Sequence, residues 1–134
     1  AETMAVETFL VEEMVTGAAV ELLLGVVLDP AHGLVLTIAA GGVLTELLED
    51  STSLTVPASR AEIGTAFKSL KLNRILAGYR GAPPCDREAI IDAAMAIQSY
   101  AMSGPVTEVE INPLLCGENF AIAADALIKR GAPK

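Results

Sequence analysis

Glu110 and Asn112 stand two positions apart in the stretch Val109-Glu110-Ile111-Asn112-Pro113-Leu114-Leu115, and Asp125 closes the next apolar run, Ala121-Ile122-Ala123-Ala124-Asp125. Residues two apart on a strand share a face, so a carboxylate and an amide oxygen point one way while Val109 and Ile111 point the other. These are hard oxygen donors. Mg²⁺ accepts such donors at near-octahedral geometry, commonly one or two protein carboxylates with waters and substrate phosphates completing the shell. Asn112 and Asp125, assisted by Glu110, meet that demand if the second run folds back onto the first. The same residues admit a plainer reading, with Asn112-Pro113 starting a turn and Asp125 capping a helix over 126–129.

Other candidate ligand groups lie upstream. Glu21 is alone in the apolar run 20–24, and a lone carboxylate there is costly to bury without a partner, so it faces either water or a site. Gly41-Gly42 follows a run of small residues, where the lack of a Cβ lets backbone N–H groups approach a phosphate; a glycine pair is also an ordinary turn.

The elements that must position these groups follow from period and turn chemistry. Val109, Ile111, Leu114 and Leu115 predict a strand over 107–115, Gly117-Glu118-Asn119 a turn, and residues 120–125 a returning strand, together a β-hairpin. Pro113 ends the first ladder just past Asn112 and leaves that side chain near a strand end. Further strands are expected over 7–15, 19–28, 34–40 and 45–49, with Asp29-Pro30-Ala31-His32-Gly33 as a hairpin loop and His32 exposed at its tip. Helices are expected over 59–76 and 86–102. Ser59 caps the first with Glu62 at capping-box spacing, Ile63, Ala66, Phe67 and Leu70 recur on one face, and 72–76 is a short second piece ended by Gly78. Asp86 caps the longer helix, whose stripe is Ile90, Ala93, Ala94, Ile97 and Ala101. The expected fold class is α+β: one domain over 1–134, a mostly antiparallel sheet with helices packed on one face.

Composition bounds the partners. With 52% hydrophobic residues but only three Phe, two Tyr and no Trp among 134, the core must be aliphatic. A net charge of −8 argues against a nucleic-acid-binding face. The longest uncharged run, 33–45, is well short of the ~18 apolar residues of a membrane span, so no membrane partner is expected. The N-terminus lacks a basic region, apolar block and small-residue cleavage site, and no signal peptide is expected. Cys85 and Cys116 lack metal-binding spacing and read as reduced thiols of a cytoplasmic protein.

Four segments together resemble the C-terminal part of the ATP-grasp domain of NDP-forming acyl-CoA synthetases. They are Val11-Glu12-Glu13-Met14-Val15 with Val20-Glu21-Leu22; Gly25-Val26-Val27-Leu28-Asp29-Pro30 through Ala40-Gly41-Gly42; Leu76-Ala77-Gly78-Tyr79-Arg80-Gly81-Ala82-Pro83-Pro84; and Glu110-Ile111-Asn112-Pro113-Leu114 with Asp125. The resemblance covers roughly residues 8–130. The family includes ADP-forming acetate–CoA ligases and the succinyl-CoA ligase β subunit, and the module recurs in larger synthetase-like proteins fused to a protein acetyltransferase.

What the resemblance implies is a nucleotide site for ATP or GTP with Mg²⁺. Asn112, Asp125 and Glu110 would serve the metal, Glu12 and Met14 the adenine through the backbone, Glu13 the ribose, and Glu21, Gly41 and Gly42 the rest of the nucleotide, with no catalytic residue in this chain. In that fold the nucleotide lies between two subdomains. The N-terminal one, which brings basic residues, is absent, so the chain is expected to be one jaw of a clamp, a piece of a longer protein and inactive alone. The parent reaction would convert carboxylate, CoA and NTP to acyl-CoA, NDP and phosphate. CoA and the acyl substrate would be held by other domains or by a CoA-binding domain or subunit. Two departures from the family favour an alternative: Ala39 and Ala40 replace part of a glycine-rich loop, and 51–57 carries no basic residue where the family has one. The alternative is a nucleotide-sensing, catalytically degenerate regulatory domain of a synthetase-like protein such as an acetyltransferase fusion.

Overall fold

The computed structural model describes residues 7–42 and 49–131. Among them the order of elements is β1 (Val20–Asp29), β2 (Gly33–Ala40), β3 (Ser51–Thr55), α1 (Arg60–Lys68), α2 (Asn73–Leu76), α3 (Arg87–Met102), β4 (Val106–Cys116), β5 (Ala121–Ala123) and β6 (Ala126–Arg130). The α+β expectation holds: the strands form one antiparallel sheet in the order β3-β2-β1-β4-β5, with β6 also on β4.

Alternation decides which face is covered. Leu22, Leu24 and Val26 of β1, Leu36 and Ile38 of β2, and Val109, Ile111 and Leu114 of β4 are buried in one cluster with Ile63, Phe67, Ile90, Ala94 and Ile97 of the helices. Burial of each large aliphatic side chain contributes roughly 1.5–3 kcal/mol. Their neighbours Glu21, Glu110 and Asn112 therefore point to the face without helices.

The helices begin where side-chain caps stand. The Glu62 N–H donates to Ser59 Oγ at 3.1 Å, and that hydroxyl donates to Glu62 Oε1 at 3.1 Å. The Ala89 N–H donates to Asp86 Oδ1 at 3.0 Å. In the β1–β2 hairpin, Asp29 Oδ1 accepts from Ala31 N–H and His32 N–H, and these bonds, Ala31's first, hold the carboxyl below its usual range. His32 is exposed at the tip, as expected.

β4 is the spine. Its pairing with β1 slips between Leu22↔Leu114 and Leu24↔Ile111, so that Asn112 and Pro113 face Leu23 alone. This is a β-bulge at a residue with no N–H to give to a ladder. On the other edge no slip occurs at these residues, and the shift against β6 lies further back, between Val106 and Glu108. From Ile111↔Ala126 to Leu114↔Ala123 both strands advance by three, so β5 and β6 are one strand interrupted at Ala124 and Asp125.

Several expectations are corrected. Residues 7–15 form no strand: β1 already has β2 and β4 at its edges, and Phe9 and Met14 are 82% and 84% exposed. The strand expected at 45–49 lies outside the described residues except for Glu49, which is not in a strand. β3 and β6 were not anticipated, and residues 126–130 are a strand, not a helix capped by Asp125. The first helical region does fall into two pieces, as expected, with the break between Lys68 and Asn73, where the N–H groups of Lys71 and Leu72 donate to Asp50 instead of to helix carbonyls. No helix among the described residues is long and apolar enough to cross a membrane.

Two buried polar features bear on stability. Gln98, 2% exposed on α3, accepts from Ala58 N–H and donates to Ala58 C=O, both at 2.8 Å, fastening the approach to α1 onto α3. Gln98→Leu strands both backbone groups and is expected to lower stability by about 2–4 kcal/mol in urea unfolding. Cys85 and Cys116 are free and buried. Burial, then the neighbouring Cys85, pushes the Cys116 thiol up to about 12 from an ordinary value of 9.0. Below about pH 9 this thiol is neutral in both states; above it the unfolded chain ionises while the folded one stays protonated. Stability should therefore fall as pH rises from 9 towards 12. Urea midpoints at about pH 8 and 10.5 test this, and Cys116→Ala should flatten the slope.

Candidate functional site

The end of β2 and the middle of β4, separated by 70 residues, meet through one hydrogen bond: the Gly42 N–H donates to Asn112 Oδ1 at 3.0 Å. The approach depends on glycine. The Gly41 N–H donates to Glu21 C=O at 2.9 Å, and a β-carbon at Gly41 would collide with the Leu22 backbone. Gly42 has φ +68°, and a β-carbon there would collide with the Glu21 carboxylate. Glu21, Gly41, Gly42 and Asn112 thus occupy one place at the start of β1.

Asp125 arrives opposite Asn112. The Asn112 N–H donates to Asp125 C=O at 3.2 Å, and the Ala124 N–H donates to Pro113 C=O at 3.0 Å, which carries the ladder through the gap between β5 and β6. The Asp125 carboxylate accepts from Ala126 N–H at 2.9 Å and is otherwise exposed. Glu110, Asn112, Asp125, Ala126 and Leu127 line an open cavity of about 320 Å³. One strand position away, Glu108 is neutralised by Lys129 at 2.9 Å.

These donors suit a hard divalent cation. Among the described residues no group of three His, Cys, Asp or Glu side chains could hold a metal unaided. An amide oxygen with one or two carboxylates leaves most of an octahedral shell to water and phosphate oxygens, which is the usual division for Mg²⁺. Asn112 Oδ1 retains a second lone pair beyond the one facing Gly42.

The remaining candidates stand apart. Glu12, Glu13 and Met14 lie in an exposed segment without helix or strand. Tyr79 and Arg80 pair with each other, the guanidinium 5.3 Å from the ring centroid. The feature hidden from the sequence is the Gly42–Asn112 bond: both residues were singled out, but nothing local couples them.

The profile of the ATP-grasp domain matches residues 1–129. The chain belongs to the ATP-grasp family. Among its relatives, it is 32% identical over 107 residues to the β subunit of acetate–CoA ligase (ADP-forming) I of Pyrococcus furiosus, covering 79% of this chain and 46% of that subunit. It is 34% identical over 121 residues to acetate–CoA ligase (ADP-forming) I of Archaeoglobus fulgidus, covering 90% of this chain and 18% of that protein. This ATP-grasp chain therefore spans about half of the β subunit it resembles and about a fifth of the longer ligase. Its fold matches the dinucleotide-forming acetyl-coenzyme A synthetase 1 of Ca. Korarchaeum cryptofilum, solved with coenzyme A and Mg-AMPPCP, at TM-score 0.80 and 30% identity, covering 84% of this chain and 54% of that one.

Gly41 makes a sharp test of the packing. Gly41→Ala should destabilise by about 1–3 kcal/mol in urea unfolding because backbone must move. Gly64→Ala, whose β-carbon meets only Ile91 Cδ1 at 3.7 Å inside α1, should stabilise by up to about 1 kcal/mol.

Proposed function

We propose that this chain is the nucleotide- and Mg²⁺-binding portion of an ADP-forming acid–CoA ligase, the C-terminal part of its ATP-grasp domain. The observation that carries the reading is the meeting of Asn112, Gly42, Glu21 and Asp125 at one point on the uncovered face of the sheet. Asn112 and Asp125, with Glu110 beside them, would hold Mg²⁺. When bound, the ion neutralises charge on phosphate oxygens, and positioning with neutralisation is most of what phosphoryl transfer asks of a protein.

The chain's own groups divide the remaining work. Gly41 and Gly42 bring backbone close to the phosphates, and the Gly42 N–H orients the Asn112 amide. Glu21 borders the same turn. The segment around Glu12, Glu13 and Met14 would supply backbone groups to adenine and a carboxylate to the ribose. CoA and the acyl substrate would be bound by other parts of the parent protein, in a CoA-binding domain or subunit like those implied by the ligase relatives. Two buried thiols, neither in a disulfide, suit a reducing cytoplasmic compartment.

One observation favours a second reading. β3 is built from Ser51-Thr52-Ser53-Leu54-Thr55 and brings no basic residue to the end of the sheet, as a nucleotide-sensing domain without ligase chemistry would also have it. Calorimetry of Mg-ATP and Mg-GTP with the full-length parent, alongside ADP-dependent acyl-CoA cleavage, separates the two. For a ligase, binding and cleavage both occur, and Asp125→Ala or Asn112→Ala weakens Mg-nucleotide binding at least about 100-fold. Binding without cleavage selects the sensing domain. A parent that binds neither nucleotide, or an Asp125→Ala variant that binds Mg-ATP normally, removes the metal assignment.

A further inference from the structure

Asp50 is the one acidic side chain among the described residues that is buried, at 6% exposure, and it touches no candidate ligand group. Its two carboxylate oxygens are each taken: Oδ1 accepts from Lys71 N–H at 2.8 Å and Oδ2 from Leu72 N–H at 2.9 Å. Its backbone carbonyl accepts from Ala40 N–H at 2.9 Å, immediately before Gly41. A single residue therefore ties the end of β2 to the turn between α1 and α2.

From this geometry we infer that Asp50 is a positioning residue for the Gly41–Gly42 turn, acting through Ala40. The inference rests on the nucleotide reading for its consequence in binding, but not for its structural content. The chain Ala40, Gly41, Gly42 is anchored at three successive N–H groups: to Asp50 C=O, to Glu21 C=O and to Asn112 Oδ1. Two of those anchors belong to the site itself. The third closes the end of the β2–β3 ladder, next to Ala39↔Ser51, and the Asp50 side chain ties that ladder end to the helical layer through Lys71 and Leu72. A carboxylate can accept both N–H groups; an amide of the same shape offers one oxygen and turns an NH₂ donor toward the other N–H. A buried donor left facing a donor is costly, so Asp50→Asn should release the lock with little change of volume.

The experiment is amide hydrogen exchange by NMR on the 134-residue chain, comparing wild type, Asp50→Asn and a core control, Ile63→Val, with the conditions adjusted to equal loss of melting temperature. Asp50→Asn should speed exchange at Ala40, Gly41, Gly42, Lys71 and Leu72 by about tenfold or more relative to amides of α3, while Ile63→Val should not single out that set. Nucleotide affinity of the full-length parent is measured in parallel, and Asp50→Asn should weaken Mg-ATP about tenfold. Exchange that is unchanged, or that rises uniformly as in the control, overturns the inference, as does selective exchange with Mg-ATP affinity unaltered in a parent that binds it. A parent that binds no nucleotide but shows the selective exchange strikes the nucleotide reading and leaves the anchor supported.

Discussion

Pro113 removes one N–H from the middle of the longest strand, and the sheet is built around that missing donor. A proline in a central strand is admissible only at a bulge, and here β4 bulges against β1 while keeping step with β5 and β6 from Ile111 to Leu114. Three consequences follow from the same residue. The bulge sets Asn112 and Pro113 against Leu23 alone, the outer strand breaks at Ala124 and Asp125, and the Asn112 amide comes within reach of Gly42.

Charge placement completes the design. The acid excess of 17 against nine Lys and Arg is not spread evenly in its effects. Glu88 and Asp92 bind Arg60 across α1 and α3, Glu108 is covered by Lys129, and Asp50 is locked to backbone N–H groups. Glu21, Glu110 and Asp125 have no ion-pair partner among the described residues and share the uncovered face. A face of this kind repels a bare polyphosphate, so the nucleotide proposed for it would have to arrive together with a divalent cation.

The parts of the fold that were legible are those whose signal is local. Ser59 with Glu62, and Asp86, announce helix starts because the capping bonds span three residues. The hairpin after Val109 was legible because Gly117-Glu118-Asn119 lies between two apolar runs, and it placed Asp125 near Asn112. The misread elements each have a physical cause. The apolar run at 7–15 looks like a strand whether or not an edge is free to pair with it. β3 is Ser- and Thr-rich and shows no apolar alternation, since only its pairing with β2 makes it a strand. The run 126–130 carries mixed signals after Asp125 and is decided by the vacant edge of β4.

By itself, the sequence determined the chemistry available: oxygen donors at Glu110, Asn112 and Asp125, a glycine pair, a lone Glu21, an aliphatic core and the strands and helices whose periods and caps are short-range. Tertiary structure alone decided which of these meet. The Gly42–Asn112 bond and the Asp50 lock join residues 70 and more than 20 positions apart. Such contacts exist only once the sheet has closed in register, because a hydrogen bond needs its partners within about 3 Å and no local preference of the chain specifies a distance of that kind.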